Sequence, residues 1–121
     1  MKPFIKKASS AKEFATDERC FISEIANVPE DIEVSIARAR VEPGTTTAWH
    51  KLNDITERYL IIEGTGRVEI EGLEQTEVSA GDVVCIPPEA AQRITNTGAT
   101  DLVFYCICSP PFRQDKYRSL E

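Results

Sequence analysis

The sequence has no long apolar run and few of the residues from which functional sites are commonly built. It contains one histidine, His50, among 121 residues, so no site can rest on several imidazoles. No segment approaches the roughly 20 apolar residues that a membrane-spanning helix needs. The lysine-rich start, residues 2–7, does not resemble a signal peptide. We therefore expect a cytoplasmic protein without a membrane segment.

Positive charge is also scarce. Lysine and arginine total 14 against 20 aspartates and glutamates, which gives a formal net charge of −6. An acidic chain is poorly suited to a polyanionic partner such as DNA or RNA, so we expect no nucleic-acid function. The length predicts one domain, 1–121, that is large enough to bury its own core.

Cysteine is present but follows no zinc-ribbon or redox spacing. The four residues are Cys20, Cys85, Cys106 and Cys108. We expect reduced thiols that act as small buried hydrophobic side chains. Cys106 and Cys108 should share one face of a strand, and the sequence leaves open whether that face borders a pocket.

Short strand-like segments separated by glycine and proline predict an all-β sandwich or barrel, with no long helix before the tail. We interpret residues 1–18 as an N-terminal arm, 33–108 as the barrel core and 109–121 as a charged C-terminal tail with at most one helical turn. The segment 83–86 is predicted to be a buried strand. The other predicted strands are 20–25, 32–41, 58–63, 67–71, 92–96 and 102–108.

Alternation within these segments indicates which residues share a face. Val68 and Ile70 are predicted to face inward. Leu102, Phe104, Cys106 and Cys108 should face one way. Arg38 and Arg40 also share a face; they form an anion site if that face is inward and are solvated if it is outward. The sequence leaves these two alternatives open.

The stretch 44–64 organises the chain. His50 and Glu57 lie on either side of the polar break Asn53-Asp54, a composition typical of a turn. We predict an antiparallel hairpin that points both side chains into one cavity. Tyr59 has the parity of Glu57 and is predicted to enter the same cavity, whereas Trp49 should point away from it.

Two spaced patterns carry a family resemblance. In the first, Gly44 is followed after five residues by His50, then after six by Glu57 and after six more by Gly64. This resembles the first motif of the cupin superfamily. In that motif a second histidine follows the first by two positions, where this chain has Leu52.

The second pattern resembles the second cupin motif. Gly81, Pro87 and Asn96 stand at the family spacings. Glu89 replaces a glycine of the motif, and Gln92 replaces its histidine. The resemblance implies a double-stranded β-helix (jelly-roll) barrel with a pocket at one end.

The resemblance also implies a divalent transition metal, Mn, Fe, Ni, Cu or Zn, held by the motif side chains. Here the metal set would be His50, Glu57 and Gln92, because Leu52 cannot coordinate. In the alternative, His50 is a hydrogen-bonded barrel residue paired to Glu57, and Gln92 orients an organic ligand through its amide.

Three functions follow from these alternatives. In the first, the chain is a metal-dependent cupin oxygenase or isomerase with Glu57 and Tyr59 as catalytic candidates. In the second, it binds a small molecule without catalysis, and in the third it is a structural barrel without a ligand. We further expect a homodimer that uses Trp49 and the arm. The predicted pocket residues are His50, Leu52, Glu57, Tyr59, Gln92, Phe104 and Cys106.

Overall fold

The computed structural model describes residues 1–121 and contains eleven β-strands and no α-helix. The strands are β1 Glu13–Ala15, β2 Phe21–Ala26, β3 Ser35–Val41, β4 His50–Leu52, β5 Thr56–Glu63, β6 Thr65–Ile70, β7 Thr76–Ser79, β8 Val83–Ile86, β9 Gln92–Asn96, β10 Leu102–Ser109 and β11 Tyr117–Ser119. Two short 3₁₀ turns cover Ala8–Ser10 and Gln114–Lys116. Neither is long or apolar enough to cross a membrane.

The strands form two antiparallel sheets that pack face to face as a double-stranded β-helix. The six-stranded sheet has the order β1-β2-β3-β10-β5-β8, and the five-stranded sheet has the order β11-β4-β9-β6-β7. The predicted all-β jelly-roll barrel is therefore confirmed.

The core lies between the sheets because alternate side chains of each strand point inward. In β6, Val68 and Ile70 are buried as predicted, and in β5 the buried positions are Glu57, Tyr59 and Ile61. Thirteen buried residues from both sheets form one hydrophobic cluster, and a smaller cluster surrounds Leu52.

The predicted hairpin between His50 and Glu57 is wrong. β4 belongs to the five-stranded sheet and β5 to the six-stranded sheet. A strand has two edges: those of β4 are paired with β9 and β11, and those of β5 with β10 and β8. The polar break is instead a corner between the sheets, where Asp54 has a positive φ of 62° and its backbone N–H donates to the Glu89 carboxylate at 2.8 Å. His50 and Glu57 consequently belong to opposite walls of the barrel.

The arginine face of β3 points outward, which decides between the two alternatives left open. The Arg40 guanidinium pairs with Glu13 at 2.7 Å and with Asp101 at 3.3 Å, and it also lies over the Phe21 ring. Arg38 reaches Glu13 at 3.5 Å. The inward face of the strand includes Ala39 and Val41, which are buried.

The prediction of a fully buried strand at 83–86 is half wrong. β8 lies at the edge of its sheet, and its side chains alternate between the two faces. Val84 and Ile86 are buried, while Val83 is 59% exposed. Cys85 shares the exposed face, contrary to the expectation that all four cysteines are buried. One face of an antiparallel sheet commonly remains in contact with solvent, and the alternation of side chains places every second residue of β8 on that face.

Both ends of the chain join the sheets. β1 pairs with β2, and β11, in the tail, pairs with β4. The two ends also meet directly, because the Arg19 guanidinium donates two hydrogen bonds to the Glu121 carboxylate at 3.1 and 2.9 Å. This ion pair holds the pKa of Glu121 down, at about 2, with help from the Trp49 backbone N–H. The arm and the tail are thereby held at the end of the barrel where the cavity lies.

Candidate functional site

A cavity of about 400 Å³ lies between the two sheets. Thirteen of its 23 lining residues are hydrophobic, as expected for a small-molecule site. Six of the seven predicted pocket residues line it: His50, Leu52, Glu57, Tyr59, Phe104 and Cys106. The seventh, Gln92, is 1% exposed and lies behind Tyr59, whose hydroxyl donates to the Gln92 amide oxygen.

His50 comes from the start of β4 and is 5% exposed. Its Nδ1 lies 2.8 Å from the Ala48 carbonyl oxygen. A carbonyl oxygen only accepts, so Nδ1 carries the proton and Nε2 is the acceptor in the neutral ring. The ring stacks on Tyr117, with centroids 5.0 Å apart and planes 22° from parallel. These two contacts fix the orientation of the imidazole at the cavity wall.

Glu57 comes from β5, on the opposite wall, and is 7% exposed. Its Oε2 accepts a hydrogen bond from the Cys108 thiol at 3.7 Å. Cys108 is the residue opposite Glu57 in the pairing of β10 with β5. The Oε1 of Glu57 is buried without any hydrogen-bond partner. Burial raises the pKa of Glu57, and the charge of His50 and the amide of Gln92 oppose that rise only in part. The cavity thus holds a carboxyl group that favours its neutral form.

Glu18 is a cavity residue that sequence reasoning missed. It sits in the turn between β1 and β2, next to Arg19, which has a positive φ of 66°. Its carbonyl oxygen accepts from the Ala48 backbone N–H at 3.1 Å, so the turn is attached directly before β4. Burial raises the pKa of the Glu18 carboxyl, while the charge of His50 lowers it. No periodic pattern marks residues 1–18, so the sequence offered no signal for this placement.

Tyr117 was missed for a related reason. It lies in a stretch interpreted as a charged tail, yet β11 pairs with β4 and brings the ring onto His50. Burial raises its pKa, and the charge of Glu18 raises it further. The only signal available was an aromatic residue inside a charged segment.

The cavity thiols are poor nucleophiles. Burial raises the pKa of Cys20 to about 11 and raises those of Cys106 and Cys108 as well. A thiol attacks as the thiolate, which these surroundings disfavour. Phe104, Cys106 and Cys108 all line the cavity, in agreement with the predicted parity of β10.

Trp49 lies outside this lining. Its ring is half-buried, and the Arg93 guanidinium lies 5.3 Å from the ring centroid. This placement agrees with the prediction that Trp49 points away from the cavity.

Comparison with known families gives a match of residues 37–108 to the cupin domain. The chain belongs to the cupin family. This cupin is 32% identical to the uncharacterized protein MJ1618 of Methanocaldococcus jannaschii over 112 residues, which cover 91% of this chain and 89% of that one.

Solved structures share the cupin fold at lower sequence identity. The nucleoside dehydratase Pac13 of Streptomyces is 16% identical, with a TM-score of 0.79 over 99% of this chain and 92% of that one. A predicted oxalate decarboxylase from Thermotoga maritima is 23% identical, with a TM-score of 0.77 over 88% of this chain and 99% of that one. At these identities the likeness shows the fold alone.

Cupins often bind metals, but the residues of this cavity do not fit the family's metal site. Leu52 occupies a ligand position and packs in an apolar cluster. The amide oxygen of Gln92, its one good donor atom, already accepts the Tyr59 hydroxyl. No group of three His, Cys, Asp or Glu side chains is placed to hold a metal ion. Of the predicted metal set, His50 and Glu57 line the cavity and Gln92 does not, and coordination by the three residues stays a prediction.

Proposed function

We propose that this cupin binds a small organic molecule in its cavity and catalyses proton transfer on it, with His50 as base and Glu57 as acid. The observation that carries the proposal is that Glu57, a residue of the 400 Å³ cavity lining, has a buried carboxyl oxygen, Oε1, that makes no hydrogen bond within the protein. Buried polar groups are nearly always hydrogen-bonded, so an orphan at a cavity wall points to a ligand.

The two groups suit opposite roles. Burial raises the pKa of Glu57 and so favours its protonated form, which suits the carboxyl to donate a proton. The Ala48 carbonyl holds the His50 proton on Nδ1 and leaves Nε2 to accept one. Two titratable groups in environments that separate their roles are the usual arrangement for acid–base catalysis.

In the reaction class we propose, Nε2 of His50 removes a proton from a substrate carbon. Glu57 delivers its proton either to a neighbouring hydroxyl, which leaves as water while a C=C bond forms, or to another carbon, which gives an isomer. Exchange with solvent then returns His50 and Glu57 to their starting states. Tyr59 has its hydroxyl committed to Gln92, so we assign it a positioning role.

The fold neighbour Pac13, described as a nucleoside dehydratase, supports the proposal only by analogy. A shared fold hosts many chemistries, so the assignment depends on the cavity residues of this chain.

A two-step experiment tests the proposal. Thermal-shift screening of a metabolite library with a chelator present identifies ligands. Each ligand is then incubated with the protein in D₂O and followed by proton NMR. We expect at least one ligand to lose a carbon-bound proton signal with the parent and not with Glu57→Gln. Glu63→Gln, an exposed glutamate on the same strand, is the matched control and should retain exchange. Ligands that bind without any exchange would contradict catalysis and favour a non-catalytic binding protein.

The metal-dependent enzyme is the second candidate, because His50 and Glu57 line one cavity at two of the family's ligand positions. Elemental analysis of untagged protein purified without chelator, beside His50→Ala, tests it. Stoichiometric metal in the parent that is absent from the variant would replace the proton-transfer proposal with a metal-dependent oxygenase or isomerase.

Homodimer formation and cytoplasmic location stay predictions. Four unpaired cysteines are typical of a reducing compartment. Light scattering at micromolar concentration tests the dimer, and a monomeric mass would reject it.

A further inference from the structure

The charged residues of the cavity lining are all acidic. The lining contains four carboxyl groups, those of Asp17, Glu18, Glu24 and Glu57, and no lysine or arginine. Asp17 and Glu24 are exposed, Glu18 is half-buried and Glu57 is buried. Acidic groups therefore extend from the solvent-exposed part of the lining to its buried wall. A ligand carboxylate or phosphate would meet no lysine or arginine side chain here, and recognition of such anions normally uses arginine or lysine.

Aromatic rings make up much of the remaining wall. Five of the nine aromatic residues of the protein line this cavity: Phe14, Tyr59, Phe104, Phe112 and Tyr117. Ring faces attract organic cations as well as apolar groups. Carboxyl groups interspersed with ring faces are the combination that proteins use to bind ammonium groups.

Glu57 supplies the specific acceptor. Its Oε2 accepts from the Cys108 thiol, and its Oε1 is buried without a hydrogen bond within the protein. An ammonium group offers three N–H donors and no acceptor, so it matches an unpartnered carboxyl oxygen. An ammonium ion beside Glu57 also favours its ionised form, in which Oε1 can only accept, so a carboxylate ligand would face it with a second acceptor.

We infer that the cavity selects small organic amines, bound as ammonium ions, over carboxylates and phosphates of the same size. The ammonium group meets Glu57 Oε1, the hydrocarbon body packs on the aromatic wall, and Glu18 supplies a second carboxyl group. The inference rests on the proposed use of the cavity as a small-molecule site, and it names the class of molecule.

Three probes of one shape and different charge test the inference: phenethylamine, 2-phenylethanol and phenylacetate, titrated into the protein at pH 7 by calorimetry. We expect phenethylamine to bind about tenfold or more tightly than 2-phenylethanol, and phenylacetate to bind most weakly. Glu57→Gln should reduce the amine-to-alcohol ratio to within about threefold. Glu63→Gln, the same carboxyl-to-amide change at an exposed position outside the cavity, should leave the ratio unchanged.

The outcomes separate the two proposals. Equal or tighter binding of the alcohol or the anion would overturn the amine inference and leave the small-molecule site intact. No binding of any probe at millimolar concentration would overturn both. If Glu57→Gln fails to fold, as judged by its amide NMR spectrum, Glu18→Gln serves in its place. If the amine-to-alcohol ratio is unchanged in Glu57→Gln, or in Glu18→Gln where that variant replaces it, the inference is also refuted.

Discussion

Replacing Glu57 with glutamine should change how the stability of the protein depends on pH. Burial raises the folded-state pKa of Glu57 above its ordinary value of 4.5. From about pH 5 upward the unfolded chain therefore releases this proton while the folded chain keeps it, so stability falls as pH rises. The slope for one such group reaches 2.303RT, about 1.4 kcal/mol per pH unit, until the pH passes the folded-state pKa. Glutamine cannot ionise, so the Glu57→Gln variant lacks this slope.

Urea denaturation at pH 5, 6, 7 and 8, with chelator in every buffer, measures the effect. The parent should lose stability relative to Glu57→Gln as pH rises, with a slope of at most about 1.4 kcal/mol per pH unit that ends where the pH passes the folded-state pKa of Glu57. The pKa of Glu18 is raised in the same direction, and the charge of Glu18 adds to the rise at Glu57, so the comparison is repeated in a Glu18→Gln background. Parallel pH profiles would mean that Glu57 is already ionised in the folded protein, which would refute both the burial argument and its role as an acid.

Four further predictions test the fold around the site. Gly64→Ala should destabilise the protein by roughly 1 to 3 kcal/mol more than Gly72→Ala in urea denaturation. Both glycines have a φ of +85°, but only a Cβ at position 64 would lie 2.7 Å from a backbone oxygen. Equal losses of stability in the two variants would contradict this clash. Asn96→Ala should cost roughly 2 to 4 kcal/mol, since this buried amide makes three hydrogen bonds, and a loss below 1 kcal/mol would be inconsistent with them. Ellman's reagent should label Cys85 first in the native protein, as identified by mass spectrometry, and the half-buried Cys106 more slowly. Rapid labelling of Cys20 or Cys108 would contradict their burial. Glu121→Gln should remove the stability that the parent loses as pH falls from 4.5 to about 2. The pKa of Glu121 is lowered, so its ion pair with Arg19 is present above that range and absent below it. Identical acid-unfolding profiles of the two proteins would argue against this ion pair.

The sequence alone determined the fold and part of the cavity lining. Alternating residues and glycine-bounded segments predicted the strands, and the spaced residues from Gly44 to Gly64 and from Gly81 to Asn96 identified the barrel. Inward parity placed Glu57, Tyr59, Phe104 and Cys106 on the cavity side. These inferences succeeded because alternation is a local property of a strand, so neighbouring residues suffice to determine it.

Which strands are neighbours was decided only by the tertiary structure. The hairpin expected between His50 and Glu57 is a corner between two sheets, because each strand uses both of its edges elsewhere. The same applies to the outward face of Arg38 and Arg40, whose partner Glu13 lies on another strand. Local sequence contains no record of these distant partners.

The character of the site also depended on contacts between the ends of the chain. Glu18 enters the cavity because its turn is hydrogen-bonded just before β4, and Tyr117 stacks on His50 because the tail adds a strand to the same sheet. The sequence established that a histidine and a glutamate could meet inside a barrel. Only the packing of the arm and the tail against that barrel made the cavity acidic and aromatic, because burial and long-range pairing are properties of the folded chain.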